Sequence, residues 1–197
     1  MDSANRFGDV EISDPKAMRA LAHPVRLAIL ERLQRHGPAT ASRLSPHVGA
    51  TPSVTSWHLR HLAGFGLVRD AEGGTDRRER RWAAVARGFR VEVPEGEEGW
   101  SAARLLAGEM FARNAELPLR WLTETAPGLE PEWARLAGAS NTRIVVTAAE
   151  LAALKDALEE LIAPYVIREP DRRPPDSRDV RLLTYALPQG PETDIPE

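Results

Sequence analysis

Cysteine is absent from the 197 residues. That absence removes disulfides, thiolate metal sites and thiol nucleophiles together, and it fits a reducing compartment. Long apolar runs are missing too: no stretch approaches the roughly 18 apolar residues a membrane helix needs. The opening MDSANRFGDVEISD has no basic start followed by an apolar segment, as a leader would. A soluble, cytoplasmic protein with no membrane partner is expected. Enzyme signatures are lacking as well, with no glycine-rich phosphate loop after a strand, no G-x-S-x-G and no H-E-x-x-H. The acidic residues Glu95, Glu97 and Glu98 cluster in a glycine-broken segment and read as solvation, so no catalysis and no cofactor are expected.

What is present is an uneven charge. Residues 1–90 carry 15 Lys and Arg against 9 Asp and Glu, and all five histidines; residues 91–197 carry 11 against 20. The overall net charge of −3 conceals this division. A basic first half joined to an acidic second half suits nucleic-acid contact by the first half alone, although two ordinary solvated surfaces are the plainer reading.

The patterning divides the chain similarly. SDPKAMRALA signals a helix with Ser13 or Asp14 as cap and Pro15 at its first position. After a break at His23-Pro24, Val25, Ile29 and Leu33 form an apolar stripe that Leu27 and Leu30 widen, and Gly37 ends it. Thr40 caps a short helix, ASRLSPHV, closed by Gly49; Pro46 inside it costs a backbone hydrogen bond, so a kink or a late start is expected. A fourth helix covers TPSVTSWHLRHL and runs to Gly64 or Gly66. Two extended pieces around Gly73-Gly74-Thr75-Asp76 then read as a hairpin.

The expected organisation is a DNA-binding domain at 11–93, a linker at 94–99 and a further domain at 100–188. In that last part 101–117 reads as a helix stopped near Pro118, followed by short helical pieces at 120–125 and 131–138. TRIVVT, 142–147, reads as a strand entering a helix through a Thr147–Glu150 capping box, and VRLLTYAL, 180–187, as a closing strand paired with it. The fold class expected is mainly α with small β: a winged helix-turn-helix followed by an α+β C-terminal dimerisation or effector domain.

The fourth helix carries the chemistry. At about 100° per residue, Val54, Thr55, His58, Leu59 and Leu62 share one side. Ser53, Ser56, Trp57 and Arg60 take the other, with His61 at the border and Thr51 at the start. Hydroxyls, an indole and a guanidinium can meet phosphates, base edges and thymine methyls. Trp57 has an alternative, packing beneath the hairpin, and His58 is expected inward as a structural histidine. Arg77, Arg78, Arg80 and Arg81 make a basic hairpin suited to phosphates, with Trp82 alternating toward the core.

DPKAMRALAHPVRLAILERL resembles the opening of ArsR-type transcriptional repressors, and TPSVTSWHLRHLAGFGLV resembles their recognition helix and its run into the wing. The resemblance covers residues 11–90. It implies a sequence-specific regulator, a repressor, that binds double-stranded DNA at a palindromic operator as a homodimer. The dimer would form through the first helix and the helix at 101–116. Many such repressors sense metal ions, but thiolate sites are impossible here and the helix after the wing contains no histidine. His58 and His61 stand three apart with one pointing inward, so no metal site is expected. Trp100, Trp121 and Trp133 are a candidate small-molecule effector pocket, with aromatic core as the commoner fate of such residues. A protein-interaction module, docking a partner through the winged helix and the acidic half, is the alternative function.

Overall fold

The computed structural model describes residues 5–71, 80–166 and 172–190. In chain order the elements are β1 (Val10–Ile12), α1 (Pro15–Leu21), α2 (Pro24–His36), β2 (Ala39–Thr40), α3 (Ala41–Val48), α4 (Pro52–Gly64), β3 (Val68–Asp70), β4 (Arg81–Ala84) and β5 (Phe89–Val91). Then follow α5 (Glu97–Ala115), α6 (Leu117–Arg120), a π-helical turn (Trp121–Thr125), a 3-10 turn (Ala126–Gly128), α7 (Pro131–Ala134) and α8 (Ala148–Val166).

Local chemistry sets the helix ends. Of the two candidate caps of α1, Asp14 is the one used, its carboxylate accepting from the Lys16 N–H at 2.9 Å. His23, extended at φ −153°, caps α2 by accepting from the Val25 N–H at Nδ1, 3.2 Å away. Gly37, at φ 77°, ends α2 and donates to the Leu33 carbonyl. Thr40 caps α3, and Gly49 closes it in the left-handed region that a side chain disfavours.

α3 includes Pro46 without starting late. The Ser42 carbonyl, which the Pro46 nitrogen cannot serve, accepts the Ser45 hydroxyl at 3.1 Å instead. One side-chain donor thus replaces the missing backbone donor.

β2, β4 and β3 form an antiparallel sheet in the order β2-β4-β3, with Val68 opposite Ala84 and Asp70 opposite Trp82. This is the expected hairpin, although its tip lies outside the described residues. β1 and β5 pair in parallel, Val10 with Phe89 and Ile12 with Val91, a pairing the sequence pattern does not announce.

The core gathers Met18 and Leu21 of α1, Ile29 and Leu33 of α2, Leu44 of α3, Leu59 and Leu62 of α4, and Trp82 of β4. α5 packs on α1 and adds Ala102 and Leu106. Each fully buried leucine contributes about 1.5–3 kcal/mol relative to an exposed one.

The second half departs from the expected pattern. α5 begins at Glu97, inside the segment read as a linker, with Gly96 at φ 97° as its cap. Gly99 lies against Pro94, whose Cδ would stand 2.9 Å from any added Cβ. The helix does stop near Pro118, at Ala115, and Pro118 then lies in the first turn of α6, where proline is tolerated. Segments 142–147 and 180–187 carry no strand. A ladder needs a partner, and neither segment has a backbone partner among the described residues, save the Thr147 carbonyl inside the α8 cap. That cap does form: the Glu150 carboxylate accepts from the Thr147 N–H at 2.7 Å, and the Thr147 hydroxyl accepts from the Glu150 N–H at 3.2 Å. From residue 107 onward no described residue is buried.

Candidate nucleic-acid interface

Thr51 caps α4 by accepting from the Val54 N–H at 3.4 Å, and Pro52 occupies the first turn. Thr55, His58, Leu59 and Leu62 are buried along one side, as helical spacing dictates, with His58 only 5% exposed. Val54 is the exception. It is 45% exposed, because burial on α4 begins only at Thr55 and the first turn stands clear of the core.

The opposite side is open. Ser53 and Arg60 are exposed, Ser56 is half-buried, and Arg60 Nη1 donates to Ser56 Oγ at 3.0 Å. Ser53, Ser56 and Arg60 line an open groove of about 410 Å³ with Pro52 and with Ala41 and Ser42 of α3. Ala41 and Ser42 were not singled out from the sequence. The signal for them was the Thr40 cap, which leaves the first turn of α3 beside α4.

Trp57 is 54% exposed, so it does not pack beneath the wing. The His61 ring stacks on it at 10° and 5.5 Å, and His58 meets it edge-on at 4.9 Å. The series continues from His61 to Phe65 at 5.3 Å and from His58 to His23 at 4.8 Å. An indole held from two sides loses less entropy on contact than a free one. Burial pushes the His58 imidazole below its ordinary pKa, and the charges of His23, Arg26 and His61 add to the shift. His61 and His23 are lowered by burial and then by Arg26. Each shift favours the neutral ring, and arginine is the fixed positive charge on this side of α4. Arg26 Nε, Thr55 Oγ1 and His58 Nδ1 are buried without hydrogen-bond partners among the described residues.

On the wing, Arg77 and Arg78 lie outside the described residues. Arg80 is engaged within the chain. Its Nε and Nη2 both donate to the Asp70 carboxylate, the second at 2.7 Å, and its guanidinium sits 4.1 Å above the Trp82 ring. The Arg80 hydrogen bond, followed by its charge, holds the Asp70 carboxyl below its usual range. Arg81 donates to the Pro38 carbonyl at 2.9 Å, fastening β4 beside the end of α2.

The three tryptophans of the candidate effector pocket stand on separate elements: the first turn of α5, the π-helical turn and α7. Trp100 is exposed, Arg178 lies over Trp133 at 5.3 Å, and no ring contact joins any two of the three. Among the described residues no group of three or more His, Asp or Glu is placed to hold a metal, and no helix is long and apolar enough to cross a membrane.

Two helices joined at a left-handed glycine, the second with an open polar face, followed by a two-stranded wing, define a winged helix-turn-helix with a helical C-terminal part. A family model described as a helix-turn-helix domain matches residues 21–71. Among curated proteins none matches. The chain is similar to solved structures that include the YusO protein of Bacillus subtilis, at 14% identity over 75% of this chain and 82% of that one, TM-score 0.33. Another is NMB1585, a MarR family regulator from Neisseria meningitidis, at 19% identity over 72% and 79%, TM-score 0.33. A third is the Mycobacterium tuberculosis MarR family protein RV2887 in complex with salicylic acid, at 18% identity over 75% and 85%, TM-score 0.32.

Proposed function

We propose that the protein is a sequence-specific DNA-binding transcriptional regulator, a cytoplasmic repressor that reads a palindromic operator as a homodimer. The observation that carries this reading is the open face of α4, where Ser53, Ser56 and Arg60 line one groove and Trp57 stands braced beside it. A major groove admits one helix, and a guanidinium with hydroxyls matches base-edge acceptors and phosphates. The charge division supports the same reading, since the basic half contains the winged helix.

Dimerisation is supported by what the single chain leaves uncovered. α8 spans 19 residues without a buried one, and Leu154, Leu158 and Leu161 stand exposed along it. Trp100, Leu105 and Phe111 of α5 are exposed as well. Apolar surface on this scale marks an interaction site, and a second copy brings the same apolar surface.

Selection of bound duplexes from a random pool tests the function. A palindromic consensus is expected, with affinity that falls steeply with salt. Failure to shift any duplex at low salt would favour the protein-docking alternative.

A further inference from the structure

Two segments of the C-terminal half have the composition of strands and the conformation of neither strand nor helix. Residues 142–147, TRIVVT, include Ile144 and Val146 exposed and Val145 wholly so. In residues 180–187, VRLLTYAL, Val180, Leu182, Tyr185 and Leu187 are exposed. From 142–146 and from 180–187 no backbone hydrogen bond to other backbone is made among the described residues. Apolar backbone with strand-forming side chains and unpaired N–H and C=O groups is a template for strand addition.

The two segments are anchored to different parts of the chain. α8, which begins where 142–147 ends, is fixed along its second half: Arg90 bonds Glu159, Arg6 lies 3.5 Å from Glu160, and Arg87 donates to the Val166 carbonyl at 2.7 Å. The other segment is fixed to different elements. Arg181 joins Arg113 on the Glu31 carboxylate of α2, Asp179 lies 3.6 Å from Arg35, and the Tyr185 ring meets Phe111 of α5 at 5.5 Å. Burial pushes the Glu31 carboxyl up, but the hydrogen bonds and charges of Arg113 and Arg181 outweigh it and leave the group lowered. Both anchors hold, and the ladder between the segments is not made.

We propose that the ladder forms in trans: residues 142–147 of one copy pair as a strand with residues 180–187 of a second copy. The inference rests on the homodimer reading and deepens it. A second copy is the fitting occupant because Tyr185 already lies on α5, whose exposed Trp100, Leu105 and Phe111 belong to the surface assigned to the dimer. A partner's 142–147 arriving at that surface meets 180–187, whose backbone makes no bond to other backbone among the described residues. Two-fold symmetry then makes the same ladder twice, satisfying both segments of both chains.

The absence of native cysteine makes the test clean. Full-length protein with Val145→Cys, carrying a tag, is mixed with untagged protein bearing a single cysteine at each of positions 180 to 186 in turn, then oxidised. Inter-chain disulfides are expected, and their yield should alternate with period two along 180–186, because successive strand side chains point to opposite faces. A flat profile, or dominant links between two Val145→Cys chains, would overturn the ladder. Sedimentation of the unsubstituted protein separates the two claims. A dimer without alternation sinks the ladder and leaves the homodimer standing, whereas a monomer at micromolar concentration sinks both.

Discussion

The Arg60 guanidinium donates to the Ser56 hydroxyl at 3.0 Å, so the longest side chain on the open face of α4 is ordered before any ligand arrives. Arg60 is exposed, with the other N–H groups of its fork beside the groove that it lines. Arg60→Ala should therefore shrink the ratio of affinities for the selected site and a scrambled duplex by about 1–3 kcal/mol, the worth of a bidentate arginine–guanine contact. Ser56→Ala should cost about 0.5–1.5 kcal/mol, the ordering of one long side chain. Titrations of both duplexes with each variant check this, and an unchanged ratio in Arg60→Ala would remove α4 as the reader.

Asp70 holds the exposed Arg80 in a bidentate ion pair. Asp70→Asn should free that guanidinium for a phosphate and steepen the salt dependence of DNA affinity by about 0.9 in log–log slope. Specific and scrambled duplexes should gain alike, since a phosphate contact carries no sequence information. A gain confined to the selected site would mean that Arg80 touches a base.

Buried His58 resists protonation. Its native pKa lies below the ordinary value near 6.5, so below that pH the unfolded chain binds a proton that the native chain refuses. Stability should fall as pH drops through 6.5 and stop falling, for this group, once the native pKa is passed. Urea unfolding of His58→Leu between pH 5 and 8 should give a flatter profile than the unsubstituted protein. Equal slopes would assign the acid sensitivity elsewhere.

Leu106 and Leu161 should fail differently. Leu106 is 1% exposed between α5 and α1, and Leu106→Ala should lower stability by about 2–5 kcal/mol at every protein concentration. Leu161, 69% exposed in the single chain, should lose stability on replacement by Ala in a way that grows on dilution, because the proposed dimer would cover it with a second copy. Thermal unfolding over a hundredfold dilution reads the difference. Concentration-independent loss in Leu161→Ala would argue against the dimer.

The helices of the winged domain were legible because their ends are written locally. Asp14, Thr40 and Thr51 cap, and Gly37 and Gly49 terminate, within a few residues of where they act. The inward place of His58 followed from spacing alone. Val54 did not, since a helical wheel gives direction and not how far a core extends. The pairing of β1 with β5 was hidden because two three-residue strands have too few positions to show a period, and they meet across nearly the whole winged domain. The Arg80–Asp70 ion pair was not legible because ten residues separate the two, and only the register of β3 against β4 brings them together.

The sequence by itself therefore determined the helix boundaries of the winged domain, its turn chemistry and the face of α4 that carries polar groups, all of which depend on interactions within one or two turns of chain. Tertiary structure decided which of those groups are available: Ser53, Ser56 and Arg60 meet in one groove, Trp57 is braced in the open, and Arg80 is occupied. It also decided that 142–147 and 180–187 stay unpaired in the single chain. A strand is stable only with a partner, and a partner is a fact of three dimensions that no local pattern contains.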